Sequence, residues 1–135
     1  MKRQNYNKYL IILTVINFSC ESKVINLVGT WEGEYHNYNL EFNFYPDSAC
    51  IIKIIDKSTG KIEKISGDFE IDVSKKPIPL TIRNIPEYSH PLYAVIKHTN
   101  DGSIKVSKFT KKWKLRPISI NPKTSFTLTK LVKEL

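Results

Sequence analysis

The sequence predicts an all-β fold, an antiparallel up-and-down β-barrel of about eight strands. Three observations support this. Apolar and polar residues alternate with a period of two, turn residues interrupt the chain at short intervals, and no amphipathic helical pattern follows residue 20. A chain of 135 residues suits one domain. Closing the sheet into a barrel removes two edges that an open sheet would expose.

The alternation is clearest in the first two predicted strands. Residues 27–35 place Leu27, Trp31 and Tyr35 on one face and acidic residues on the other. Residues 40–44 alternate three large apolar residues with Glu41 and Asn43. This pattern indicates strands with one buried face.

The middle of the chain predicts four further strands separated by turns. Prolines and short polar segments mark the breaks, since proline cannot donate to a strand ladder. The predicted strands are "ACIIKIID", "IEKISGDFEID", "LTIRNI" and "LYAVIKH".

The last third predicts a hairpin and a basic strand. Asp101-Gly102 suits a type I′ turn, in which both central residues have positive φ. The run "KVSKFTKKWKLR" then alternates, and "SFTLTKLV" closes the sheet. In the basic run we expect one face to point inward and the other to meet solvent, or an anionic surface. The inward residues are Phe109, Trp113 and Leu115, and the outward residues are Lys108, Lys112, Lys114 and Arg116.

The N-terminus has the parts of a secretory signal peptide. "MKRQNYNK" is basic, "YLIILTVINF" is a short apolar run, and Ser19-Cys20 follows. With a small residue before a cysteine, the segment resembles a bacterial lipoprotein signal, although Asn17 departs from the usual leucine. The resemblance implies cleavage before Cys20 and acylation of its sulfur. A plain signal peptide and a buried N-terminal strand are the alternatives.

This interpretation divides the chain and locates it. Residues 1–19 are the signal peptide, 20–26 the lipidated cysteine and a short tether, and 27–135 the barrel domain. Export places the protein in the bacterial cell envelope, anchored to a membrane, where nucleic acid is not an expected partner. Loss of Lys2, Arg3 and Lys8 lowers the formal net charge from +8 to about +5.

The two cysteines leave two possibilities. If Cys20 is acylated, Cys50 is a small buried apolar residue. If Cys20 is not acylated, the export compartment permits a Cys20–Cys50 disulfide.

The barrel domain resembles the lipocalins and related calycins. Gly29-Thr30-Trp31 at the first strand is similar to their Gly-x-Trp, and Arg116 lies in the part of the chain where they place an arginine. The resemblance implies that Trp31 closes one end of the barrel and that Arg116 packs over it. Interior aromatic residues then either line a ligand cavity or fill the interior: Tyr35, Phe42, Phe44, Phe69 and Phe126.

The sequence offers no pattern typical of a catalytic, metal or cofactor site. His36, His90 and His98 lack ligand spacing, and Glu32 and Glu34 are alternate residues on an outward strand face. We therefore expect no enzyme and no cofactor. The expected function is binding of a small apolar ligand or lipid. The alternative is an envelope interaction protein, such as an inhibitor, immunity protein or assembly factor, with a filled barrel.

Acylation of Cys20 is directly testable. When the full chain is expressed in a bacterium supplied with labelled palmitate, we expect a labelled, membrane-bound product and no label in Cys20→Ser. An unlabelled soluble periplasmic product from the parent chain would contradict the lipoprotein interpretation.

Overall fold

A computed structural model of the protein describes residues 26–132. They form an eight-stranded, closed, antiparallel β-barrel in which neighbouring strands are consecutive in the chain, so the predicted fold is confirmed. The strands are β1 (Gly29–Tyr35), β2 (Tyr38–Phe44), β3 (Ala49–Asp56), β4 (Ile62–Ile71), β5 (Ile78–Arg83), β6 (Leu92–His98), β7 (Ile104–Val106) and β8 (Phe126–Lys130).

Pairing of the first and last strands closes the barrel. Trp31 is opposite Lys130 and Gly33 is opposite Leu128, with β1 and β8 antiparallel. Gly33 is required there, because a Cβ at this position would lie far inside van der Waals contact with the carbonyl oxygen of Thr127. The absence of a side chain therefore allows β8 to approach β1.

The barrel interior follows the predicted alternation. Trp31, Phe42 and Phe44 are almost completely buried, and their strand neighbours Glu32 and Asn43 point outward. The core is mainly aliphatic on β5 to β8. Its almost fully buried members there are Leu80, Ile82, Ala94, Ile96, Ile104, Val106 and Leu128.

The two ends of the barrel differ. We call the end at which β1 begins the closed end, because Trp31 and Phe44 fill the barrel there. The β2–β3, β4–β5 and β6–β7 connections lie at this end. The open end has the β1–β2, β3–β4 and β5–β6 connections and the long β7–β8 connection, residues 107–125.

The predicted basic strand, residues 105–116, is wrong from residue 111 onward. Within residues 107–125 the backbone of Thr110 pairs with Tyr93, and Trp113–Leu115 form a single 3-10 turn. Trp113 is 66% exposed and Leu115 64% exposed, so neither points into the barrel. The chain leaves the barrel wall after Thr110 and crosses the outer face of β5 and β6.

The β6–β7 turn also differs from its prediction. Gly102 has φ +86°, but Asp101 has no positive φ. A type I′ turn needs positive φ at two consecutive residues, so this turn is of another kind. The Asp101 carboxylate accepts hydrogen bonds from the Thr99 hydroxyl and the Ser103 backbone, which lower its pKa.

The expected signal peptide, residues 1–19, and Cys20 lie outside the described residues, as does most of the tether. Between residues 26 and 132, no helix is long and apolar enough to cross a membrane.

Substitution of Gly33 tests barrel closure. Gly33→Ala places a methyl group against the Thr127 carbonyl and should destabilise the protein by roughly 1–3 kcal/mol or more. Gly60→Asn is the matched control, because Gly60 has open space around it and a left-handed φ that asparagine tolerates. Urea unfolding of both variants measures the difference. Equal midpoints would contradict the close approach of β1 and β8.

Cys50 provides a second test of the packing. Its thiol is free and 1% exposed, and burial together with the nearby Asp68 carboxylate raises its pKa to about 11. At pH 8 the thiol is therefore neutral and inaccessible, which makes it a poor nucleophile. In a Cys20→Ser chain we expect iodoacetamide to modify Cys50 only in denaturant. Rapid modification of the folded chain would show that this part of the barrel opens.

Candidate functional site

An apolar cavity lies at the open end of the barrel. Its volume is about 320 Å³. Eight of the lining side chains come from β1, β2, β3 and β4, and the other three from β6, β8 and the β7–β8 connection. The lining residues are Tyr35, Tyr38, Leu40, Phe42, Ile52, Ile54, Glu63, Ile65, Leu92, Phe109 and Phe126.

Strand alternation explains why the wall of the cavity is apolar. On β2 and β3, the inward positions near the open end are held by Leu40, Ile52 and Ile54. Successive residues of a strand point to opposite faces, so polar neighbours such as Lys53 point outward. Lys53 forms an ion pair with Glu41 on the outer surface, at 3.3 Å.

Aromatic rings form one side of the cavity. The Phe109 ring is stacked on Phe42, with ring centroids 6.2 Å apart, and Phe126 lies edge-on to Tyr35 at 6.0 Å. Phe109 belongs to the β7–β8 connection. Its side chain points into the barrel, and the chain turns outward after the next residue. Two backbone hydrogen bonds between Thr110 and Tyr93, 2.8 and 2.9 Å, fix the chain immediately after it.

The rim of the cavity has one carboxylate. Glu63 is an inward position of β4, opposite Ile54 of β3, and it is exposed to solvent. The Tyr88 hydroxyl donates to Glu63 Oε1 at 3.4 Å, and the Tyr88 ring is stacked on His90. Partial burial and the Glu63 carboxylate raise the pKa of Tyr88, so the phenol remains a neutral donor. The mouth therefore combines an apolar interior with a negatively charged edge.

Five aromatic residues were predicted to line a cavity or fill the interior, and the structure separates them. Tyr35, Phe42 and Phe126 are part of the cavity wall. Phe44 and Phe69 pack edge-to-face, with centroids 4.8 Å apart, in the filled part of the barrel. These two belong to the core.

The expected packing of Arg116 on Trp31 is wrong. The Arg116 guanidinium lies over the Tyr93 ring on the outer face, 5.0 Å from its centroid, and Nη2 donates to the Thr81 hydroxyl at 2.6 Å. The residue over Trp31 is Lys130, whose Nζ is 5.6 Å from the ring centroid. The strand register places Lys130 directly opposite Trp31, while residues 111–116 follow a path outside the barrel.

Trp31 itself is buried at the closed end, as the alternation predicted. Its indole Nε1 donates to the carbonyl of Leu27 at 2.9 Å, which satisfies the buried donor. Gly29 leaves the space through which the Lys130 side chain passes, since a Cβ at this position would meet Lys130 Cε.

The basic residues that were expected to meet an anionic surface are on the outside. Lys108, Lys112 and Lys114 are exposed. Among residues 26–132, none of the three lies within 4.0 Å of a carboxylate.

Other polar groups do not assemble into a second site. Glu34 forms an ion pair with Lys57 at 3.2 Å on the surface. His36 lies against Tyr35, at the opposite side of the open end from His90. Within the described part of the chain, no group of three His, Cys, Asp or Glu residues could hold a metal ion.

Several cavity residues were not identified from the sequence as lining residues, notably Leu40, Ile54, Glu63, Leu92 and Phe109. Glu63 and Ile65 are alternate residues of β4 and point to the same side. Alternation could therefore have identified Glu63 as an acid at an inward position. Alternation in the basic run did place Phe109 inward, but its position at the cavity depends on a non-local pairing between Thr110 and Tyr93.

Comparison of the chain with protein-family models, with curated proteins and with solved structures finds no match.

Proposed function

We propose that the protein is a cell-envelope lipoprotein, anchored through an acylated Cys20, whose barrel binds a small, largely apolar molecule. The observation that supports this most directly is the cavity at the open end. It is lined by aliphatic and aromatic side chains, with Glu63 as its charged group. Concave apolar sites with a few polar groups at defined positions are typical of small-molecule binding.

The size of the cavity limits the ligand. A volume of about 320 Å³ is near the lower end of the roughly 300–1,000 Å³ found for ligand pockets. It is suited to a compact molecule or to one end of a longer chain. Each methylene buried in the cavity would contribute about 0.8 kcal/mol.

The rim favours a particular orientation of the ligand. The apolar part would lie against Phe42, Ile52 and Phe126, and the polar part at Glu63 and Tyr88. A carboxylate at the mouth attracts a cationic group or a hydrogen-bond donor and repels an anion. We therefore expect neutral or cationic headgroups to be preferred to anionic ones.

The proposed location is supported by the N-terminal sequence. A basic segment, a short apolar run and Ser19-Cys20 are the parts of an exported lipoprotein. A tether of residues 20–26 would keep the barrel within about 25 Å of the bilayer. Free lysines on the outer surface, Lys108, Lys112 and Lys114, would then be close to lipid phosphates.

A non-enzymatic interaction protein is the second candidate. The observation in its favour is that the closed half of the barrel is completely filled, with Trp31, Phe44 and Leu80 almost inaccessible to solvent. In such a protein the connections and the outer surface would make the functional contacts.

Binding of a neutral apolar probe distinguishes the two. We expect N-phenyl-1-naphthylamine to bind the full chain with increased fluorescence. Ile54→Trp fills the cavity and should weaken binding at least tenfold, which corresponds to about 1.4 kcal/mol. The matched control is Ile55→Trp, because Ile55 is on the same strand with the opposite parity.

Circular dichroism should confirm that both variants fold. If the parent chain does not bind the probe, or if both variants bind it equally, the interior is not the binding site and the interaction protein is favoured. Native mass spectrometry of protein refolded with extracted envelope lipids would then identify a natural ligand or show that none is retained.

A further inference from the structure

The last third of the chain has an unusual charge distribution. Between Asp101 and Glu134 the sequence contains no acidic residue. The basic residues in this interval are Lys105, Lys108, Lys111, Lys112, Lys114, Arg116, Lys123, Lys130 and Lys133. Surfaces built from this part of the chain are therefore cationic unless acids from other strands lie beside them.

Large apolar side chains are exposed within this basic segment. Trp113 is 66% exposed, Leu115 64% and Ile118 91%. We call these three residues, together with the exposed Lys111, Lys112 and Lys114, the Trp113 surface. Neighbouring exposed apolar side chains that are surrounded by polar residues are typical of interaction sites.

The fold holds this surface away from the barrel wall. On one side, Thr110 is hydrogen-bonded to Tyr93. On the other, Arg116 lies over the Tyr93 ring and donates to Thr81. Between these two attachments the chain forms a 3-10 turn, closed by hydrogen bonds from the backbone N–H groups of Leu115 and Arg116. The turn is thus a fixed protrusion whose apolar side chains point outward.

The surroundings of the protrusion are also basic. A groove on the outer face joins Trp113 and Ile118 to Lys75 and Lys76 of the β4–β5 connection, and no acidic residue lines this groove. Two acids lie just outside the groove, and both have basic neighbours: Asp72 is 4.0 Å from Lys75 Nζ, and Glu70 is 3.4 Å from Arg83 Nε. The surface is therefore complementary in charge to an anionic partner.

The groove beside Trp113 also extends to the end of the barrel from which the chain would reach a membrane. The β4–β5 connection with Lys75 and Lys76 is at the closed end, and Asn26, the first described residue, is at the same end. A short tether before Asn26 would bring the closed end toward the bilayer. This point rests on the proposed lipid anchor.

We propose that the Trp113 surface docks on an anionic lipid bilayer. Trp113, Leu115 and Ile118 enter the interfacial region, where tryptophan is favoured, and the neighbouring lysines contact lipid phosphates. The combination of exposed apolar side chains, surrounding lysines and a groove lining without acids fits a lipid surface of net negative charge.

The two tryptophans permit a specific test. The full chain is reconstituted into vesicles of phosphatidylcholine alone, or with phosphatidylglycerol, with bromine on the acyl chains to quench tryptophan in the bilayer. Trp31 is 2% exposed inside the barrel, so quenching reports on Trp113. We expect strong quenching with phosphatidylglycerol, weak quenching without it, and none above background in Trp113→Phe.

A charge-matched pair of variants tests the lysines. In Lys112→Gln/Lys114→Gln, the ratio of docked to undocked protein, measured from the quenching of Trp113, should fall by about fivefold for each lysine removed. Lys61→Gln/Lys64→Gln has the same net charge but alters exposed lysines near the β3–β4 turn at the open end, so its quenching should match the parent chain.

Equal quenching in the two vesicle types, or equal loss in the two double variants, would overturn the proposal. If Trp113 is unquenched by lipid, its exposed surface serves a protein partner instead. Binding of the apolar probe to the cavity should be unchanged in Lys112→Gln/Lys114→Gln. Failure of membrane docking and failure of the ligand-binding proposal are therefore distinguishable.

Discussion

The pairing of β1 with β8 is the constraint on which the rest of the barrel depends. It requires a residue without a side chain at position 33, because the β8 backbone passes directly over that site. Once the sheet is closed there, none of the eight strands is left with an unpaired edge. Alternation along each strand then determines which of its side chains point into the barrel. The same closure places Lys130 over Trp31. One end of the barrel is thereby filled, and the cavity is confined to the other.

Much of this architecture follows from local sequence. The alternation in residues 27–35 and 40–44 predicts strands with the correct inward faces, because burial of one face selects apolar residues at every second position. In the basic run, residues 105–116, alternation correctly placed Phe109 inward but was misleading for residues 111–116. There the lysines and apolar residues also alternate, but the chain path is set by the contacts of Thr110 and Arg116 with Tyr93. Contacts between distant residues leave no period in the sequence.

The candidate site shows a related limit. Parity identified Phe44 and Phe69 as interior residues, yet it does not specify how far along the barrel axis a side chain lies. Both are in the filled part of the barrel. Phe126 also points inward, but it reaches the cavity. The partner of Trp31 depended on register in the same way. Arg116 and Lys130 are both basic residues near the end of the chain, and only the alignment of β8 with β1 selects Lys130.

One connection supplies both the aromatic wall of the cavity and the exposed apolar surface, with Phe109 and Trp113 only a few residues apart. The paired backbone hydrogen bonds of Thr110 stand between them and hold the chain to β6. A displacement at Trp113 would have to break these bonds before it could move Phe109. A movement at Trp113 is therefore not transmitted to Phe109. In terms of linkage, their coupling free energy should be close to zero, so that occupation of either would leave the affinity of the other unchanged.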